Sequence, residues 1–170
     1  WKNGVYADLW TSTGFSTERN FGKEVDLMLG KAGKLGHFDY AADIGYYAVI
    51  IIDVVNINAE FSRTHKVGKA TLTSYVRGEY YFPIRKGGPR RGVMGVAGLK
   101  STVELVPKLA FSSLMRLKKD SGNFAFDSAL LGQGYAGLVY QIGPFDFLGG
   151  VNLSTPLSKV GDGRKTLTAW

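Results

Sequence analysis

Carboxylates recur at alternate positions in successive stretches of the chain: Glu24 and Asp26, then Asp39 and Asp43, then Glu60 with Asn58 before it. Side chains two apart share one face of a β-strand, so three neighbouring strands would bring these groups onto one surface. Such a cluster could select or hold a cation. It could instead be neutralised by Arg77, Lys108 and Arg116 facing it. Unpaired charges in a narrow space are costly, so pairing is the expectation. Asp8, Glu79, Glu104 and Asp127 have the same alternate placement in other stretches.

Catalytic chemistry finds little support. The two histidines, His37 and His65, stand on different stretches without ligand spacing, and there is no cysteine. Neither a metal site nor a disulfide is therefore expected. No serine and histidine are spaced as a nucleophile and its base. Gly132-Gln133-Gly134-Tyr135-Ala136-Gly137 spells a glycine-rich dinucleotide pattern. That pattern needs a helix after it to receive the phosphate, whereas Tyr135 to Ile142 reads as a strand. The expectation is a protein with no enzymatic activity, metal or cofactor.

The elements that would position these groups have a period of two, not 3.6. Val25, Leu27 and Leu29 oppose Glu24 and Asp26. Phe38, Tyr40, Ile44 and Tyr46 oppose Asp39 and Asp43. Ile57 and Phe61 oppose Asn58 and Glu60, and Leu72, Tyr80 and Phe82 oppose Arg77 and Glu79. Turn residues punctuate the pattern at 30–36, 87–89, 121–123, 143–144 and 161–163. Strands are expected near 4–13, 24–32, 36–47, 54–63, 69–82, 92–100, 103–117, 123–132, 135–142, 145–154 and 164–170. Pro107 removes a ladder donor inside one of them, so a bulge is expected there.

The whole is one all-β domain over residues 1–170. The net charge of +7 points to phosphate-bearing partners. No apolar run approaches the ~18–20 residues of a membrane helix. Most of the strands do reach the ~9–11 residues that a membrane-crossing β-strand needs. The alternating polar face is too charged for a dry core. In an outer-membrane barrel it would line the lumen: Asp8, Glu24, Asp26, Asp39, Asp43, Asn58, Glu60, Arg77, Glu79, Glu104, Lys108, Arg116 and Asp127. The opposite set would face lipid: Val25, Leu27, Leu29, Phe38, Tyr40, Ile44, Tyr46, Ile57, Phe61, Leu72, Tyr80 and Phe82. Tyr46, Tyr80 and Phe82 near one rim, with Phe38 and Phe61 near the other, would form interfacial girdles.

These features predict an antiparallel up-and-down transmembrane β-barrel of about 10–12 strands. Such barrels normally have an even strand count, and eleven strands are read here. Either two of them are one, best placed within 123–142, or a further N-terminal strand lies outside this segment, and the second is the expectation. The segment opens at Trp1, without initiator methionine or signal peptide, as expected of a processed or trimmed chain. Longer loops belong outside the cell. The rim holding 14–23, 48–53, 83–91, 118–122 and 143–144 is therefore placed outside. The rim holding 31–35, 64–68, 101–102, 133–134 and 155–163 is placed in the periplasm.

The stretch Gly4-Val5-Tyr6-Ala7-Asp8-Leu9-Trp10-Thr11-Ser12 carries a resemblance. It continues through Glu24-Val25-Asp26-Leu27, Gly30, Phe38-Asp39-Tyr40 and Gly45-Tyr46-Tyr47. This part of the chain resembles the TorF-type putative porins of proteobacterial outer membranes over about residues 4–60. The proline that often follows the Tyr-Tyr pair is absent, as are the strands that precede Gly-x-Tyr-Ala in that family. The resemblance implies an outer-membrane barrel and no particular solute.

The functional expectation is a porin-like channel or structural barrel of the bacterial outer membrane, with a charged lumen. Its rivals are a soluble lipocalin-like barrel binding an apolar ligand and a membrane barrel docked into a larger protein assembly. Membrane lipid is the expected partner, with Arg85, Lys86, Arg90 and Arg91 contacting an anion such as lipopolysaccharide phosphate. Nucleic acid is not expected, because the chain has no binding motif for it and no stacking aromatics in the basic loop.

Overall fold

The alternating runs build ten strands. They are β1 (Val5–Thr13), β2 (Lys23–Leu35), β3 (Phe38–Val49), β4 (Ile52–Val67) and β5 (Ala70–Pro83), then β6 (Gly92–Val106), β7 (Leu109–Asp120), β8 (Leu130–Ile142), β9 (Phe145–Pro156) and β10 (Thr166–Ala169). The computed structural model describes residues 4–13, 23–49, 52–84, 91–121, 130–143, 145–157 and 166–169. Within these residues there is no α-helix. Each strand pairs antiparallel with the next, so a single up-and-down sheet runs from β1 to β10 in chain order. No ladder joins β1 to β10 among the described residues, and the sheet is not closed.

The strand bounds correct the sequence expectation twice. The second correction lowers the count among the described residues from eleven to ten, and restores an even number without a further N-terminal strand. Residues 101–102 are not a turn but lie inside β6. Their polarity is absorbed by the ladder, where the Ser101 and Ser113 hydroxyls hydrogen-bond across it at 2.7 Å. Residues 133–134 are likewise inside β8, because the Gln133 amide is used by both neighbouring strands. It accepts from Arg116 Nε at 2.8 Å and donates to Ser154 Oγ at 2.8 Å. The real turn is Pro107-Lys108, between the paired Val106 and Leu109. Proline suits the first position of such a turn, and Lys108 takes φ 69° at the second. The bulge lies beside the turn, where the register shifts between Glu104 and Val106.

Moving those turns exchanges two connections between the rims. One end of the sheet now carries 36–37, 68–69, 107–108 and 143–144, each of two residues. The other carries 14–22, 50–51, 84–91, 121–129 and 157–165. Residues 143–144 therefore leave the long-loop end, and the connection around 155–163 joins it. At the short end Gly36 and Gly68 hold φ of 61° and 60°. Glycine at the first loop position is what a type II′ hairpin turn requires.

The faces of the sheet are sorted. Register places Leu27 opposite Tyr46, Tyr46 opposite Val55 and Val55 opposite Phe82, so one apolar row crosses four strands. Ile44, Ile57 and Tyr80 form a second row, and Tyr40, Phe61 and Val76 a third. These rows look outward: Leu27 is 53% exposed and Phe61 46%. The alternate face is enclosed, with Asn56 and Asn58 only 2% and 1% exposed. A single sheet with no second layer can bury one face only by curling around it.

Candidate functional site

The enclosed face is the candidate site. Strand register assigns its members, since every second residue of each strand points to it. Asp8 pairs with Met28, Gly30 with Asp43, Asp43 with Asn58, Asn58 with Glu79 and Glu60 with Arg77. Farther on, Glu79 pairs with Met94, Val96 with Lys118, Gly98 with Arg116, and Arg116 with Gln133.

Hydrogen bonds knit this face together. Asp43 accepts from the Tyr6 hydroxyl at 2.9 Å, two strands away, and from the Asn58 amide. Asn56 Nδ2 donates to Asn58 Oδ1 at 2.9 Å. On β5, Arg77 and Glu79 form an ion pair at 2.8 Å, and the Tyr81 hydroxyl donates to Glu79. On β6 to β9 the chain of contacts is Arg116 to Gln133 to Ser154. An apolar patch of Tyr75, Met94 and Val96, with Tyr81 and Leu114 against it, separates the two polar regions. The arrangement can solvate, orient and sort charged or polar groups. It shows no nucleophile with a positioned base, and no metal-binding cluster among the described residues.

The residues expected to line a lumen distribute as follows. Asp26, Asp43, Asn58, Glu60, Arg77, Glu79 and Arg116 share the enclosed face in mid-strand. Asp8 is on the same face but exposed, because β1 is the edge of the sheet. Glu24 is placed by its backbone alone, opposite Ser12 and Val49. Asp39 lies at the short-turn end, bridged to Lys34 at 3.4 Å. Glu104 is also at that end. Lys108 departs from the expectation, since it sits in the β6–β7 turn and not on a strand. There, with Glu104, Gln141 and Asp146, it lines a cavity of about 350 Å³. Asp127, Arg85, Lys86 and Arg90 lie outside the described residues. Arg91 is exposed at the long-loop end, its guanidinium 5.7 Å from the Phe82 ring centre.

The outward set expected from sequence all falls on the other face: Val25, Leu27, Leu29, Phe38, Tyr40, Ile44, Tyr46, Ile57, Phe61, Leu72, Tyr80 and Phe82. Aromatics gather toward its two ends. Tyr80 and Phe82 meet edge to face at 4.4 Å, and Phe38 carries Arg63 5.9 Å from its ring centre at the opposite end.

Sequence reasoning missed Tyr6, Asn56, Lys100, Lys118, Gln133 and Ser154 on the enclosed face. The alternation that selected Asp43 and Arg116 also selects these, once Gly132-Gln133-Gly134 is read as strand. Comparison with models of protein families, with curated proteins and with solved structures finds no match for this chain.

Proposed function

We propose that this chain is a transmembrane β-barrel of the bacterial outer membrane, porin-like, with a polar, charged lumen. The observation that carries this reading is the direction of the two faces. Four apolar side chains, Val54, Tyr75, Met94 and Val96, are buried among the described residues, while β1 to β9 all expose large apolar ones. A water-soluble monomer rarely exposes contiguous apolar patches above a few hundred Å². A lipid-embedded barrel requires them, with polar groups turned inward.

Three features add support. The strands of β2 to β9 have 12 to 16 residues, ample for the ~9–11 needed to cross. Four of the five two-residue connections gather at one end and every longer one lies at the other, as in outer-membrane barrels. With ten strands, β1 and β10 run in opposite directions, so one antiparallel ladder between them would close the barrel. Closure is what lipid demands, because an open edge leaves backbone groups unsatisfied there. The likeness of residues 4–60 to TorF-type porins points the same way. A lipocalin-like carrier needs an apolar interior for its ligand, whereas the enclosed face here sets asparagines and an ion pair around a small apolar patch.

The test is extraction and electrophoresis of the full chain. The folded protein is expected to leave membranes only in detergent and to migrate differently before and after heating. Good solubility in plain buffer, with a single unshifted band, would sink the proposal.

A further inference from the structure

Charge on the enclosed face is sorted by strand. From β1 to β4 its mid-strand positions carry Asp8, Asp26, Asp43 and Glu60, and cations appear only toward the turn end, at Lys34 and Lys66. On β6 and β7 the same face carries Lys100, Arg116 and Lys118, with carboxylates only at the strand ends, Glu104 and Asp120. Strand β5 is the seam, where Arg77 is bonded to Glu79 and faces Glu60.

Among the described residues no ion pair joins the two regions. The ion pairs Lys34–Asp39 and Arg77–Glu79 both lie between β2 and β5. Arg116 is held by a neutral amide, Gln133. Lys100 lies 4.6 Å from the Tyr75 ring centre. Lys118 has no ion pair among the described residues, and it is repelled through space by Arg116 and Arg77 and attracted by Glu79. Asp43 is hydrogen-bonded by two neutral groups, Tyr6 and Asn58, and Arg77 acts on it only through space. Ions without a counter-ion must keep water or a polar solute beside them, because complete dehydration is too costly.

We propose, building on the barrel reading, that the enclosed face bounds an aqueous passage polarised across its width. It is negative along β1–β4 and positive along β6–β7, and it favours small zwitterionic solutes over neutral ones of equal size. A solute bearing both a carboxylate and an ammonium group turns the first toward Arg116 and Lys118 and the second toward Asp43. A low-dielectric wall focuses such a field, and only a dipolar solute gains from both sides at once. A simple ion is attracted by one wall and repelled by the other.

The experiment uses the full chain in liposomes and compares entry of alanine with that of lactamide, its uncharged isomer. Alanine is expected to enter at least about threefold faster. Lys118→Gln, which removes a cation that holds no ion pair among the described residues, is expected to lower that ratio. It should also move the reversal potential in a potassium chloride gradient toward cation selectivity, and Asp43→Asn should move it the other way. Equal entry of the two isomers overturns the proposal, as does a reversal potential indifferent to both variants. A chain that keeps its heat-modifiable band yet passes neither solute also overturns the passage while leaving the barrel intact. Loss of that band in the unmodified chain would overturn the barrel itself.

Discussion

Gly98 and Gly95 stand three residues apart on β6 and face opposite ways, and their surroundings differ accordingly. A methyl group on Gly98 would sit 2.6 Å from the Tyr75 ring, whereas one on Gly95 meets nothing within 4 Å. Tyr75 lies directly across the ladder from Gly98, so the ring fills the space the glycine leaves on the enclosed face. Gly98→Ala is expected to cost about 1–3 kcal/mol, as overpacking does. Gly95→Ala is expected to gain up to about 0.5–1 kcal/mol from lost unfolded-state freedom. The temperature at which the folded band disappears on electrophoresis measures both, and equal effects would contradict the packing described. Leu27 and Asp26 make a second contrast across the sheet, one outward and 53% exposed, the other enclosed and 7% exposed. In a bilayer, Leu27→Arg is expected to cost ~2–4 kcal/mol near the midplane. Asp26→Asn keeps the size and much of the hydrogen-bonding capacity, so it should be milder. Comparable folded yields of the two variants in lipid would count against the outward face meeting acyl chains.

At the scale of the element, the β6–β7 hairpin shows what the sequence discloses and what it conceals. Alternation placed Val103, Phe111, Met115 and Leu117 on one face and Arg116 on the other, and the register agrees. The apolar rows and most of the enclosed charges were legible in the same way, because period two survives any hairpin whose loop keeps parity. Turn position was less legible. Lys100-Ser101-Thr102 and Gly132-Gln133-Gly134 look like loops because their polarity is visible while the cross-strand partners, Ser113, Arg116 and Ser154, are distant in sequence. Lys118 and Gln133 were lost from the site by the same route. Pro107-Lys108 looked like a flaw in a strand because lysine is not a usual residue at positive φ. That conformation costs an L-residue roughly 1–2 kcal/mol, so Lys108→Gly is expected to stabilise the protein by about 1 kcal/mol. Lys108→Val should destabilise it, since a branched side chain fits that region worst. Thermal unfolding in detergent would separate the two, and a rise with valine would refute the turn geometry.

For the whole molecule the decisive property is that its two ends differ. Four two-residue turns gather at one end, whereas most connections at the other are several residues longer. In a barrel made from the periplasmic side, short turns are the end that never crosses the bilayer, and long loops are free to face the outside. The chain has no cysteine, so single cysteines report position without background. Arg91 is exposed at the long-loop end and Lys69 in the β4–β5 turn at the other. On intact Gram-negative cells, a membrane-impermeant maleimide is expected to label Arg91→Cys and to leave Lys69→Cys untouched until the outer membrane is permeabilised. The reverse pattern would keep the barrel and invert its orientation. Labelling of both sites on intact cells would mean the sheet lies on one side of the membrane. The apolar outward rows would then need another protein, not lipid, to cover them.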